Sequence, residues 1–347
     1  MQLYDKNGYV DIPTIYGRSL FFQLVTGGRG TGKTYGAFKM CLTQHIKFIY
    51  LRRTQTVIDI LSTPERSPIK TVCQDLQLKI VPHTIDRYTT GFFPYELDPE
   101  GKISRSDTSL GYMAALSTFA NLRGFDGSDV DCIIYDEFCP EKHEKKLKNE
   151  YEALLNAYET VNRNRELQGR PAVKLLCLSN ANDITNPLFV GLDLVNRSVR
   201  MKNKGLKIYE DFSRGIGLYF TDDSPISQQK QKTALYRLTK NTEFADMAIN
   251  NDFSHDKTST NVRQRSLKEL VPVVAIGELC IYQGKGDGFL YASTHTSGNP
   301  ETYLFNASDA RRFRHKYAWI HIAYLNRQIE TESYLAETLL TKVLFEL

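Results

Sequence analysis

The sequence predicts an α/β fold: a three-layer domain on parallel strands, then a small helical linker, then a second, smaller α/β domain. Two observations predict the first domain. Up to about residue 190, short apolar runs alternate with helical patterns, which argues for parallel βαβ units. One strand-to-helix junction carries Gly27-Gly28-Arg29-Gly30-Thr31-Gly32-Lys33-Thr34, the pattern G-x-x-x-x-G-K-[ST]. A third observation sets off the rest: beyond about residue 256, strand-like runs resume after a polar interval. The expected boundaries are 1–225, 226–255 for the linker, and 256–347.

Each element has its own justification. Residues 20–25 are a buried-strand run, and residues 35–42 continue the loop as a helix. Strands are expected at 46–51, 131–136 and 173–178, all apolar or β-branched and bounded by polar residues. Between the last two, residues 146–168 place Leu147, Tyr151, Leu154, Leu155, Tyr158 and Val161 on one helical stripe. Residues 60–115 are broken by Pro64, Pro68, Pro82, Pro94 and Pro99, and read as a β-rich insertion or sheet edge. From 222 to 256 the segments are short, polar and helical, including Gln228-Gln229-Lys230-Gln231-Lys232. Residues 272–276, 279–282 and 289–293 read as strands, the last two joined by a Gly-rich turn, and 332–347 as helix.

Composition excludes several classes. Hydrophobic residues are 41% and charged residues 24%, the balance of a globular chain rather than a disordered one. The longest apolar runs, such as 271–276, are far too short to span a bilayer, and no export signal precedes the first strand. The six cysteines are scattered singly without a C-x-x-C pair, as expected of reduced core residues rather than disulfides or a zinc site. A net charge of +4 does not announce a nucleic-acid binder. Two local clusters, Arg197, Arg200, Lys202, Lys204 and Lys207, and Arg311, Arg312, Arg314 and Lys316, read either as solvated faces or as contacts to a polyphosphate backbone.

The loop predicts a nucleotide site. Successive backbone N–H groups of Gly27 to Thr34 and the following helix start aim at phosphate oxygens. Lys33 would reach the β- and γ-phosphates, and Thr34 would offer its hydroxyl to Mg²⁺. The run Ile133-Ile134-Tyr135-Asp136-Glu137 then delivers Asp136 at a strand end to hold the Mg²⁺ shell, and Glu137 to polarise the attacking water as general base. Asn180, at the end of the next apolar strand, is either a sensor of the γ-phosphate or a turn residue. A cation for the transition state has two candidates, Arg163 and Arg165, although arginines near a helix end also suit its dipole.

These motifs in one order, with Phe48-Ile49-Tyr50-Leu51-Arg52-Arg53, Thr160 to Glu166, Cys177-Leu178-Ser179-Asn180-Ala181 and Asn186-Pro187, resemble the DNA-packaging motor ATPases of small tailed phages of the phi-29 type. The match is dense over 20–190 and thin beyond, where Tyr236-Arg237-Leu238 and Thr242-Glu243-Phe244 still fit. The resemblance implies a terminase-like and RecA-like P-loop ring ATPase of the additional-strand class, a homopentamer that pumps double-stranded DNA into a preformed capsid. It implies ATP bound between subunits and completed in trans by Arg163, with Arg123 as a further basic residue facing the adjacent site. One of Arg52 and Arg53 would support the nucleotide site or the subunit boundary. It implies a C-terminal RNase H-like domain that docks on the portal and packaging RNA. It also implies work in the host cytoplasm at the portal vertex, with the protein absent from the mature virion. A live nuclease of that fold needs clustered carboxylates, one on its first strand. Residues 271–276 have none and Asp287 sits in a Gly-rich turn, so nuclease activity is not expected. Alternatives are another P-loop DNA motor, such as a helicase or conjugation-type pump, and a nucleotide-gated assembly protein without significant turnover.

Overall fold

The apolar runs of the first half line up as the middle of one large sheet. The computed structural model describes residues 1–122, 126–140, 147–180, 184–230, 232–238, 262–286 and 289–347. In chain order its elements begin α1 (Ile12–Tyr16), β1 (Phe22–Gly27), α2 (Lys33–Thr43), β2 (Phe48–Arg52), α3 (Gln55–Leu61), α4 (Lys70–Asp75), β3 (Ile80–Thr84), β4 (Thr89–Leu97), β5 (Ile103–Arg105) and β6 (Gly111–Ala115). They continue β7 (Cys132–Asp136), α5 (Glu150–Asn162), β8 (Lys174–Ser179), α6 (Pro187–Gly191), α7 (Val195–Asn203), β9 (Ile208–Asp211), β10 (Ile216–Thr221), α8 (Pro225–Lys230) and α9 (Ala234–Leu238). The chain closes with β11 (Leu270–Ile276), β12 (Leu279–Gly284), β13 (Leu290–Ser293), β14 (Glu301–Tyr303), α10 (Ala307–Lys316), α11 (Ala318–Leu325), β15 (Ile329–Thr331) and α12 (Tyr334–Thr341).

The large sheet runs β3-β4-β6-β2-β7-β8-β1-β10-β9, with β5 on β4. Its six middle strands are parallel, while β4 and β9 are antiparallel to their inner neighbours. Strands covered on both faces stay apolar throughout, and β7 is buried at every position. Alternate side chains serve two layers. Val25, Tyr50, Ile134 and Leu178 share a core with Ile15, Phe38 and Val72 of α1, α2 and α4. On the opposite face Phe22 meets Tyr158, and Tyr135 meets Glu150, both on α5. The predicted three layers are therefore present.

Of the two readings of 60–115, the sheet edge is the one found, as β3 to β6. Elsewhere the sequence reading departs from the structure. Strands β9 and β10 fall where no strand is expected. Helix α5 is shorter than 146–168, bounded by Asn149 (φ 53°) and Arg163 (φ 44°) in the left-handed region. The chain divides into two units, Met1–Asp183 with Met201–Phe253 and Ile184–Arg200 with Ser254–Leu347. Ile184–Arg200 thus groups with the second unit, whereas the sequence reading places it in the first. Most of the expected linker, Thr242-Glu243-Phe244 included, lies outside the described residues.

The second unit holds a five-stranded sheet ordered β14-β11-β12-β13-β15, an antiparallel trio flanked by parallel strands. Ala310, Phe313, Ile320, Ala323, Ala336 and Leu340 of α10 to α12 share a core with Val274, Ile276, Ile281 and Ala292 of that sheet. Strand β11 carries no acidic residue, and Asp287 lies outside the described residues. Among the described residues no group of three or more His, Cys, Asp or Glu is placed to hold a metal ion, and no helix is long and apolar enough to cross a membrane. All six cysteines are buried, and none is in a disulfide.

Candidate active site

Strand β1 ends at Gly27 and α2 starts at Lys33, so the glycine-rich segment spans the gap between a parallel strand and its helix. Gly32 caps α2 with φ 87°, a left-handed backbone that an L side chain resists. No side chain caps this helix, as also in α3, α4, α5 and α11. The first-turn N–H groups of α2 are thus left for an acceptor from outside, as anion binding requires. Thr31 braces the loop through its hydroxyl to Gly28 O at 3.0 Å. Lys33 is 7% exposed, and its ammonium donates to Gly27 O at 2.9 Å and Gly28 O at 2.8 Å. Burial lowers its pKa to about 8, against the opposing pull of Asp136 and Asp222, and the charge of Lys230 lowers it further.

Parallel register brings the carboxylates to the same edge. Gly27 follows Thr26, which pairs with Ser179 on β8, and Asp136 pairs with Leu178. Ligands in open parallel sheets bind at these C-terminal strand ends. Thr34 Oγ1 donates to Asp136 Oδ2 at 3.0 Å, joining residues 102 apart in sequence. Tyr50 donates to the same Asp136 oxygen at 2.9 Å. Burial first, and then the charge of Asp136, raises the Tyr50 phenol well above its ordinary range, so it acts as a fixed donor. Glu137 turns the chain out of the sheet with φ 58°, and its N–H donates to Leu178 O at 2.7 Å. Its carboxylate pairs with Arg52, whose guanidinium also donates to Tyr50 at 3.2 Å. A cleft of about 480 Å³ is lined by Arg29 to Tyr35, Asp136, Glu137, Ser179 and Asn180.

The arginines separate. Arg53 is buried and donates to both oxygens of the buried Glu150, at 3.1 and 3.0 Å, so it belongs to the fold while Arg52 belongs to the cleft. Arg165, expected as a trans-acting candidate, is 4% exposed and gives its guanidinium to Val130 O and Asp131. A side chain enclosed in its own subunit has no reach to another, and this corrects the expectation. Arg163 is exposed at the end of α5. The helix starts at Glu150, bonded to Arg53 near the C-terminal strand ends, and ends where Asn162 accepts from Val173 N, at the N-terminal end of β8. Thirteen residues put Arg163 about 20 Å from its own cleft. Arg123 lies outside the described residues. In the second basic cluster, Arg312 pairs with Asp309, Lys316 with Glu301, and Arg314 donates to Val343 O, so these three serve their own unit.

Sequence reasoning missed Tyr50 and left the division between Arg52 and Arg53 open. The available signal was spacing: Tyr50 and Arg52 lie two apart on a strand, hence on one side of it.

The model of the podovirus DNA encapsidation protein family (Gp16) matches residues 4–309. The DNA packaging protein of Bacillus phage phi29 is 28% identical over 313 residues, 88% of this chain and 85% of that protein. That of Bacillus phage B103 is 29% identical over 303 residues, 85% of this chain and 84% of its own. Among solved structures, the bacteriophage Phi-29 viral genome packaging motor assembly aligns with a TM-score of 0.66 at 21% identity, covering 99% of this chain and 98% of the other. The Phi-28 gp11 DNA packaging motor aligns at 0.64 and 19%, covering 99% of both chains. At such identities the structural likeness speaks for the fold. With the family model spanning most of its length, the chain belongs to the podovirus DNA encapsidation protein family.

Proposed function

We propose that this protein is an ATP hydrolase that drives double-stranded viral DNA into a preformed capsid, working as a homopentameric ring at the portal, with packaging RNA as a further partner. The observation that carries the hydrolase reading is the convergence of Thr34 and Asp136, 3.0 Å apart, beside Lys33 and Glu137 in one cleft. A hydroxyl and a carboxylate are the hard oxygen donors that Mg²⁺ accepts, so the residues present fit that ion. Bound there, Mg²⁺ would neutralise charge on the β- and γ-phosphates. The α2 N-terminus and Lys33 bind the phosphates, Asp136 and Tyr50 fix the carboxylate edge, and Glu137 removes the proton of the attacking water. Asn180, on the cleft wall, is positioned to report the γ-phosphate. In this reading the second domain is nuclease-like without a metal site, and the domain boundaries remain 1–225, 226–255 and 256–347.

The test is Glu137→Gln. It should keep ATP binding and lower steady-state hydrolysis by roughly a hundredfold or more, the usual share of a general base. Hydrolysis at the wild-type rate would remove Glu137 from that role. Stimulation of hydrolysis by duplex DNA rather than single strands supports the packaging motor, and the reverse preference would point to a helicase.

A further inference from the structure

A second lysine lies on the phosphate loop. Lys230 is the last residue of α8, the helix that follows β10, and its ammonium donates to the Arg29 carbonyl. A β-carbon built on Gly30 would fall 2.1 Å from that nitrogen, so the ammonium occupies the space over the loop that only glycine leaves. Two anchors put it there. Strand β10 runs parallel to β1 with Thr221 opposite Gly27, and the buried Ser224 hydroxyl donates to Gly8 O at 2.6 Å. The chain therefore leaves the sheet next to the loop and returns Lys230 across it.

With a carbonyl only the donor of this bond is charged, whereas a phosphate oxygen adds a full negative charge opposite the ammonium. Lys33 also rests on carbonyls of this loop, so two cations flank one short peptide segment, and the charge of Lys230 already opposes that of Lys33. An anion between them relieves that repulsion. Burial lowers the Lys230 pKa as well, which favours any partner that restores its charge. We propose that Lys230 is a second phosphate-binding lysine of the site, exchanging the Arg29 carbonyl for a phosphate oxygen of the bound nucleotide. Nucleotide occupancy is then felt directly by α8. This inference rests on the reading of the loop as an ATP site.

The test is equilibrium binding of a fluorescent ATP, the N-methylanthraniloyl derivative, to the full chain and its variants. Lys230→Met should weaken binding about tenfold, the scale of one hydrogen bond to a charged group. Lys230→Arg should recover most of the loss, because a guanidinium also donates to phosphate. Lys230→Cys should bind like the Met variant until alkylated with 2-bromoethylamine, which rebuilds an ammonium at that place. The six native cysteines are buried, so the new thiol is the one the reagent meets. Melting temperatures should match wild type throughout, and ATP should slow hydrogen exchange in α8 of wild type but not of Lys230→Met. Wild-type affinity in Lys230→Met, with Lys33→Ala unable to bind, overturns the proposal and leaves the ATP site standing. Wild-type affinity in Lys33→Ala overturns the reading of the loop itself.

Discussion

At Lys33 an ammonium that the proposed function sets against phosphate is held inside the protein. Its pKa of about 8 lies below the ordinary 10.5, with burial as the first cause. The sign follows from proton counting. Between pH 8 and 10.5 the unfolded chain binds more protons at this residue than the folded one, so this group's contribution to stability rises with pH across that window. Below pH 8 its burial costs on the order of 3 kcal/mol, a cost that the proposed phosphate binding would account for. The functional sign is opposite. Above pH 8 the unliganded lysine is neutral and must regain a proton to bind, so ATP affinity should fall about tenfold per pH unit. Binding titrations from pH 7 to 9.5 check this, and a flat affinity would show that Lys33 keeps its charge in the unliganded loop.

At the scale of elements, a buried knot holds the site in register. Arg53, just past the end of β2, and Tyr135 in β7 both donate to Glu150, the first residue of α5. Removing one partner leaves the other charge buried, so Arg53→Ala should destabilise the protein by about 3–5 kcal/mol. Arg53→Met with Glu150→Met should cost less than the single change, because no buried charge remains. Denaturant titration of the single and double variants decides it; a double variant weaker than both singles would mean that packing, not charge, holds the knot. The knot also shows what could be read from the sequence and what could not. The phosphate loop, Asp136, Glu137 and the parallel strands were legible because each is a local pattern: glycines before a helix, or an apolar run ending in acid. Two adjacent arginines carry no such label. Neighbours on a strand face opposite layers, and only the placement of α5 decides which layer is core. Arg165 was misread for the same reason, since its burial depends on Val130 and Asp131, more than thirty residues earlier. Strands β9 and β10 were missed because Glu210, Asp211 and Gly217 dilute their β signal.

At the scale of the whole molecule, the cleft within one subunit is lined by the glycine-rich loop and two carboxylates, and one of these, Glu137, is paired with Arg52. The arginine that the family resemblance assigns to the transition state, Arg163, stands one helix length away, by the N-terminal end of β8. No side chain spans about 20 Å, so Arg163 acts on a neighbour's nucleotide or on none. A head-to-tail interface sets two different faces of the fold against each other, and where its rotation closes it builds a ring. Arg163→Ala should therefore leave ATP binding intact and lower hydrolysis in the assembled motor by on the order of a thousandfold. Lys33→Ala should be inactive for the opposite reason, keeping its arginine but losing its loop. Mixed in equal amounts, the two dead variants should regain hydrolysis. With independent sites, roughly a quarter of interfaces pair an intact loop with an intact arginine, whatever the number of subunits in the ring. Activity well above either variant alone would place Arg163 in trans. If mixed assemblies form but stay as inactive as their parents, Arg163 is a helix-end residue of its own subunit.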